Sequence, residues 1–364
     1  MPYNIVLVAG ARPNFMKIAP IIDAIKAYDQ CKWSLVHTGQ HYDEKMSERF
    51  FKQLEIPMPS VNLEAGGGSQ AEQAATIMVK FEKYLIDNPC DLVLVVGDVT
   101  STLACSIVAK KLSIRVAHVE GGIRSGDLTM PEEINRLVTD SIADYFFTTS
   151  LSAVENLLKE GKRPDQIFFV GNTMIDTLLK HQHRFTAPDF WTQQKLQAKD
   201  YFVLTLHRPS NVDNPEQLKA ILKAIRAGSA GKTVVFPVHP RTRKNMELFG
   251  LLPKDSGLVL VEPQGYFEFN YLVKHALGVI TDSGGITEET TVMGIPCMTL
   301  RDTTERPETC TIGTNELIGT DPYLIESNLQ KMVQGEWKKG GIPELWDGKS
   351  ADRIVKKINE LFKA

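Results

Sequence analysis

Acidic, basic and imidazole side chains recur where short apolar runs of this chain come to an end. Asp98 follows residues 91–96, apolar from Leu92 onward, and Glu120 follows residues 114–119. Two carboxylates at one edge can be driven to different pKa values, which supplies an acid and a base from one kind of group. Asp98 also precedes Thr100 and a helical pattern, so an N-capping role accounts for it as well. The string Met130-Pro131-Glu132-Glu133-Ile134-Asn135-Arg136 has the form of an ordinary helix start, proline first and acids in the first turn. Its place after Glu120 and a glycine-rich loop, residues 121–126, adds a functional reading for Glu132 and Arg136. Arg12 and Lys17 straddle the first strand-to-helix turn, where cations either meet a phosphate or face solvent.

The second half repeats the arrangement. His207 and Arg208 follow residues 201–206, and His239 and Arg241 follow residues 233–238. Neither His207 nor His239 lies in an HxH, HExxH or cysteine cluster, so hydrogen bonding or general-acid work is expected of them and no metal. Ser283-Gly284-Gly285-Ile286-Thr287-Glu288-Glu289 lies between an apolar run and a helical pattern. Small residues there let backbone N–H groups approach an anion, and a helix N-terminus adds partial positive charge. A capped turn explains the same string without a ligand.

These residues need a frame that sets them side by side. Short β-branched runs at 4–9, 33–38, 91–96, 114–119, 145–149 and 167–170 alternate with helical patterns. Continuous apolar runs such as 91–96 suit strands buried on both faces of a parallel sheet, which predicts a doubly wound α/β domain over residues 1–170. Residues 171–199 turn polar, contain Pro188 and read as a connecting segment. A second series at 201–206, 233–238, 258–261, 277–281 and 296–300 predicts another Rossmann-like domain over 200–348. The amphipathic helix 350–364 is left to pack back on the first domain. Ligands of open parallel sheets bind beyond the carboxyl ends of the strands. The polar residues above, with Gln40 and His41 after the second strand, gather at that edge of both sheets, so a cleft between the domains is the expected working site.

Composition narrows the function further. Of 364 residues, 41 are Lys or Arg and 44 are Asp or Glu, a net charge of −3. That balance argues against a broad nucleic-acid-binding face. No apolar run approaches the length of a membrane span, and the N-terminus lacks a signal-peptide layout. Five scattered cysteines with no CxxC spacing fit reduced thiols and a cytoplasmic protein. The absence of GxSxG, GxxxxGK[ST] and GxGxxG strings weakens esterase, ATPase and dehydrogenase readings.

Together the motifs GARPNFMKIAP, TGQH, VVGDVTSTLA, HVEGGIRSGDLTMPEEINR, GNTMIDTL, TLHRPSN, PVHPRT, TDSGGITEE and LRDTTERPE resemble the non-hydrolysing UDP-N-acetylglucosamine 2-epimerases. They run in family order from residue 10 to residue 308. The resemblance implies two Rossmann-like domains in the arrangement of B-type glycosyltransferases, and a homodimer. It implies reversible conversion of UDP-GlcNAc to UDP-ManNAc with no cofactor, through loss of UDP to a 2-acetamidoglucal and re-addition. By motif match Asp98, Glu120 and Glu132 take acid/base positions, with His207 a further catalytic candidate. Arg12, Lys17, Arg136, His239, Ser283, Gly284, Gly285 and Arg306 match contacts to UDP and its phosphates, and Glu289 matches the ribose-binding acid. Ser210 stands where many members have Glu. The GQHYD and HPRT details also look like epimerases of UDP-diacetamido-uronic acids, so that substrate remains an alternative, as does a glycosyltransferase of the same fold.

Overall fold

The computed structural model describes residues 2–39, 51, 53–253 and 257–363. Two compact units account for them: Met1–Lys180 together with Glu344–Ala364, and His181–Pro343. Among the described residues no helix is long and apolar enough to cross a membrane.

The first unit is built on seven parallel strands: β1 (Tyr3–Ala9), β2 (Cys31–His37), β3 (Val61–Asn62), β4 (Leu92–Val96), β5 (Arg115–Val119), β6 (Tyr145–Thr148) and β7 (Ile167–Phe169). Their spatial order is β3-β2-β1-β4-β5-β6-β7. Every residue of β4 (LVLVV) is buried, because helices cover both faces and leave no room for polar alternation. The helices are α1 (Arg12–Ile25), α2 (Gln70–Asp87), α3 (Thr100–Lys111), α4 (Pro131–Ile142), α5 (Leu151–Lys159) and α6 (Thr173–His181). Ser69 and Glu72 open α2 with a reciprocal capping box. The chain winds outward from β1 to β3 and then restarts at β4, so the loops after β1 and β4 leave in opposite directions. A crevice opens at such a switch point.

The C-terminal helix Ser350–Lys363 belongs to this unit and lies on α1. It buries Ile354, Val355 and Ile358. Asp176 of α6 accepts from the backbone N–H groups of Ser350 at 3.1 Å and Ala351 at 2.7 Å, satisfying two donors of the first turn. Tyr3 donates to Asn359 at 2.5 Å, and Trp346 donates to the Thr149 carbonyl at 3.0 Å.

The second unit holds six parallel strands: β8 (Tyr201–Thr205), β9 (Thr233–Pro237), β10 (Leu258–Val261), β11 (Gly278–Thr281), β12 (Cys297–Thr299) and β13 (Asn315–Leu317). Their order, β10-β9-β8-β11-β12-β13, repeats the winding of the first sheet, with its switch point between β8 and β11. Its main helices are α7 (Pro215–Gly228), α8 (Pro240–Leu248), α9 (Tyr266–His275), α10 (Gly284–Met293), α11 (Pro307–Thr311) and α12 (Pro322–Gln334). Every strand expected from the sequence forms, with ends moved by a residue or two. The edge strands β3 and β13 were not expected, because Val-Asn and Asn-Glu-Leu carry too little apolar pattern. Gln40 and His41 lie outside the described residues.

Candidate functional site

At the switch point of the first sheet, the side chain of Asn14 ties two strand ends together. Its Oδ1 accepts from the N–H groups of Gly10 at 3.2 Å and Ala11 at 3.0 Å, and its Nδ2 donates to the Val96 carbonyl at 2.9 Å. Gly97 follows with φ of +68°, and a Cβ there would stand 3.2 Å from the Lys17 ammonium. A left-handed turn against a buried cation is glycine's place. Lys17 points inward from α1 and donates to Glu120 Oε2 at 2.8 Å, and both side chains are buried. The solvent-facing reading of Lys17 is therefore overturned. Glu120 itself holds φ of +72°, a strained conformation for a residue with a side chain. Arg12 is the first residue of α1, and its side chain is outside what is described.

Asp98 does not cap α3; Val99 occupies that position and no side chain caps the helix. The Asp98 carboxylate instead accepts from Arg136 Nε at 3.0 Å and Nη2 at 2.8 Å, while its carbonyl accepts from Asn135 at 2.8 Å. Asp98 remains about one-third exposed at 32%, whereas the Arg136 side chain is buried. Arg136 also pairs with Glu133. Glu133 is buried and accepts from the N–H groups of Ser125 and Gly126. Burial works against its charge, but those donors and Arg136 outweigh burial and hold its carboxyl below the usual range. Glu132 sits beside it in the first turn of α4 with its side chain exposed. The PEEINR string thus divides by period: Glu132 faces out, while Glu133 and Arg136 face in.

In the second unit Asp282 is the hub. It is fully buried after β11 and accepts from the backbone N–H groups of His207 at 3.0 Å and Arg208 at 2.9 Å. It also accepts from Asn211 at 3.2 Å and from His207 Nδ1 at 2.7 Å. Burial would raise its pKa, yet these donors lower it. A carboxylate can only accept, so His207 Nδ1 carries the proton and Nε2 is the nitrogen left to exchange one. The His207 side chain stays 47% exposed. His239 lies near it, ring centroids 6.3 Å apart, and its pKa is lowered by burial, by His207 and by Arg241.

Ser283, Gly284 and Gly285 open α10 without a side-chain cap, so the capped-turn reading does not hold. A Cβ on Gly284 would stand 2.4 Å from Glu305 Oε1, whereas nothing lies within 4 Å of one on Gly285. The first-turn N–H groups of α10 thus have no side-chain cap, and a side chain at Gly285 would meet open space, features that suit an anion site. Behind them Arg301 donates to Glu305 at 2.6 Å, and Arg306 pairs through Nε with Glu288 at 2.6 Å. Glu289 is buried one turn into α10, where Tyr266 donates to it at 2.9 Å. Burial pushes its carboxyl up to about 7 against the opposing bonds from Tyr266 and Asn270.

Sequence reasoning passed over Asp282, Glu133, Asn14 and the buried pair His118–Asp140. Asp282 was readable as one more acid closing an apolar run. Asp140 carried no signal, since His118 is distant in sequence, and the bond of Asn14 to Val96 is hidden for the same reason.

The profile of a family described as UDP-N-acetylglucosamine 2-epimerase matches residues 23–359. A UDP-N-acetylglucosamine 2-epimerase of Methanocaldococcus jannaschii is 40% identical over 361 residues, 96% of this chain and 97% of that protein. A UDP-2,3-diacetamido-2,3-dideoxy-D-glucuronate 2-epimerase of Pseudomonas aeruginosa is 36% identical over 98% of this chain and the whole of that protein, 100%. A crystal structure of the M. jannaschii UDP-GlcNAc 2-epimerase in complex with UDP-GlcNAc and UDP superposes with a TM-score of 0.88 at 40% identity, covering 98% of this chain and 99% of that one. A lipopolysaccharide outer core galactosyltransferase shares the fold alone, with a TM-score of 0.55 at 14% identity, covering 97% of this chain and 99% of that one. The two wound sheets are thus the B-type glycosyltransferase fold, and the chain belongs to the UDP-N-acetylglucosamine 2-epimerase family.

Proposed function

We propose that this enzyme interconverts UDP-GlcNAc and UDP-ManNAc by elimination and re-addition of UDP. The observation that carries the reading is the pair of acids at neighbouring strand ends, Asp98 held by Arg136 and Glu120 held by Lys17. One carboxylate takes the proton from sugar C2. The C–H electron pair becomes the C1–C2 double bond, and the C1–O bond breaks with its electrons leaving on UDP. Return of UDP to C1 with a proton delivered to the opposite face of C2 gives the epimer. Direct glycosyl transfer needs no second acid and no change at C2, so the paired carboxylates favour epimerisation.

The division of labour follows the two units: acid/base carboxylates in the first, with Glu132 exposed beside them, and the groups for UDP together with His207 in the second. The uncapped start of α10 suits the diphosphate, Arg306 and His239 match further UDP contacts by motif, and Glu289 suits the ribose hydroxyls. His207, its ring fixed by Asp282, suits proton transfer at the leaving oxygen. Arg12, Lys17 and Arg136 supply the positive charge of the first unit. The enzyme is also taken to work as a homodimer in the cytoplasm, as its family resemblance implies; sedimentation at monomer mass would reject the dimer.

Incubation with UDP-GlcNAc in D2O, without an acceptor, is the test. Deuterium at C2 and appearance of UDP-ManNAc are expected, and a retained C2 proton would overturn the proposal. The 36% identity to a diacetamido-glucuronate epimerase supports the uronate as a second substrate reading. A higher kcat/KM for that sugar in the same exchange measurement decides for it.

A further inference from the structure

We infer that His118 is a positioning residue for the reaction, a buried imidazolium that ties the Asp98 turn to the Glu120 turn. The inference rests on the proposed acid/base roles of those two residues. His118 lies on β5 with no exposed surface. Its Nε2 is 2.8 Å from the carbonyl oxygen of Gly97, the residue that turns the chain into Asp98. Its Nδ1 is 2.6 Å from Asp140 Oδ1 on α4. A carbonyl oxygen only accepts. The Asp140 carboxylate is already committed as an acceptor, because Oδ2 takes the Gly122 N–H at 2.9 Å and the Arg124 guanidinium at 2.7 Å. Both ring nitrogens therefore face acceptors, and both must carry protons. A neutral ring would leave a lone pair against an oxygen at a fully buried site.

The charges around the ring favour the cation. Asp140 faces it from α4, and Glu120 attracts it from the end of β5 itself. Arg124 opposes it from the glycine-rich loop, but that cation is shared with Glu160 at 2.7 Å, and Lys17 of α1 is taken up by Glu120. Burial disfavours the charged ring, and the Asp140 and Gly97 contacts outweigh that cost. Through these bonds one ring fixes two loops. Gly97 is held on one side, and Gly122, through Asp140, on the other, so both catalytic carboxylates are hung from the same buried charge.

The test begins with wild-type enzyme labelled with 15N-histidine. Long-range proton–nitrogen spectra at pH 8, where an ordinary histidine is neutral, should show one ring protonated on both nitrogens. A neutral ring at His118 would overturn the inference without touching the epimerase reading. His118→Gln identifies the resonance and supplies a donor at one end only. Its kcat should fall by about 100-fold, the cost of a small misplacement of reacting groups, while KM for UDP-GlcNAc moves by less than about threefold. Should that variant fail to fold, Asp140→Asn replaces it, with the same kcat loss and a ring that turns neutral. Unchanged kcat, or a loss confined to KM, overturns the positioning role. Absence of C2 exchange in the wild type instead defeats the proposed reaction, while the ring's protonation still decides the structural half of the inference.

Discussion

Arg136 meets Asp98 with two nitrogens and Glu133 with a third, so one guanidinium sets the angle of an exposed acid from a buried base. Replacing Asp98 by Asn preserves its shape and most of these bonds but removes the exchangeable proton. Turnover should fall about 10²- to 10⁴-fold, with UDP affinity by calorimetry unchanged. Glu289 makes a second prediction at this scale. Burial raises its carboxyl from the usual 4.5 to about 7, and the proposed ribose contact needs the ionised form as acceptor. UDP affinity should therefore drop by up to about tenfold per pH unit below 7, and Glu289→Gln should flatten that dependence. Folding raises this group, so its contribution to stability is complete below pH 4.5 and lost as the pH rises to about 7; ligand-free melting scans should show that direction. The types and positions of Asp98, Arg136 and Glu289 were legible in the sequence. Their partners were not, because contact between Glu289 and Tyr266, or between Lys17 and Glu120, depends on how separate helices and strands meet.

Helices and strands add predictions that single side chains do not. The opening turn of α10 distinguishes two adjacent glycines. Gly285→Ala adds a methyl group where nothing opposes it, so thermal stability should hold while UDP binding weakens. Gly284→Ala drives the same methyl against Glu305, so stability and binding should fall together by differential scanning fluorimetry and calorimetry. At the other end of the chain, Asp176→Ala leaves two first-turn donors of the C-terminal helix without their carboxylate. A loss of about 1–2 kcal/mol in urea unfolding is expected, as for a lost helix cap. Elements buried on both faces, such as β4, were readable because burial writes a continuous apolar run. The edge strands β3 and β13 leave no such run, and a two- or three-residue strand is specified mainly by the neighbour it pairs with.

For the molecule as a whole, the same winding of strands occurs twice, with one strand more in the first sheet, yet the two units are not equivalent in sequence. Residues His181–Pro343 form one unbroken stretch, whereas the first unit is completed only by Glu344–Ala364. A fragment covering 181–343 should fold cooperatively by circular dichroism, since its core residues, from Phe202 to Met332, all lie within it. Residues 1–180 alone should melt at a markedly lower temperature, with α1 stripped of the helix that covers it. A ribosome delivers these parts strictly in order, so the second unit can close while the first still waits for its final helix. A frameshift or premature stop just beyond Pro343 would therefore release a chain with an intact second unit and a first unit that lacks its final helix. The bare α1 surface of such a product would mark it for chaperones and proteases.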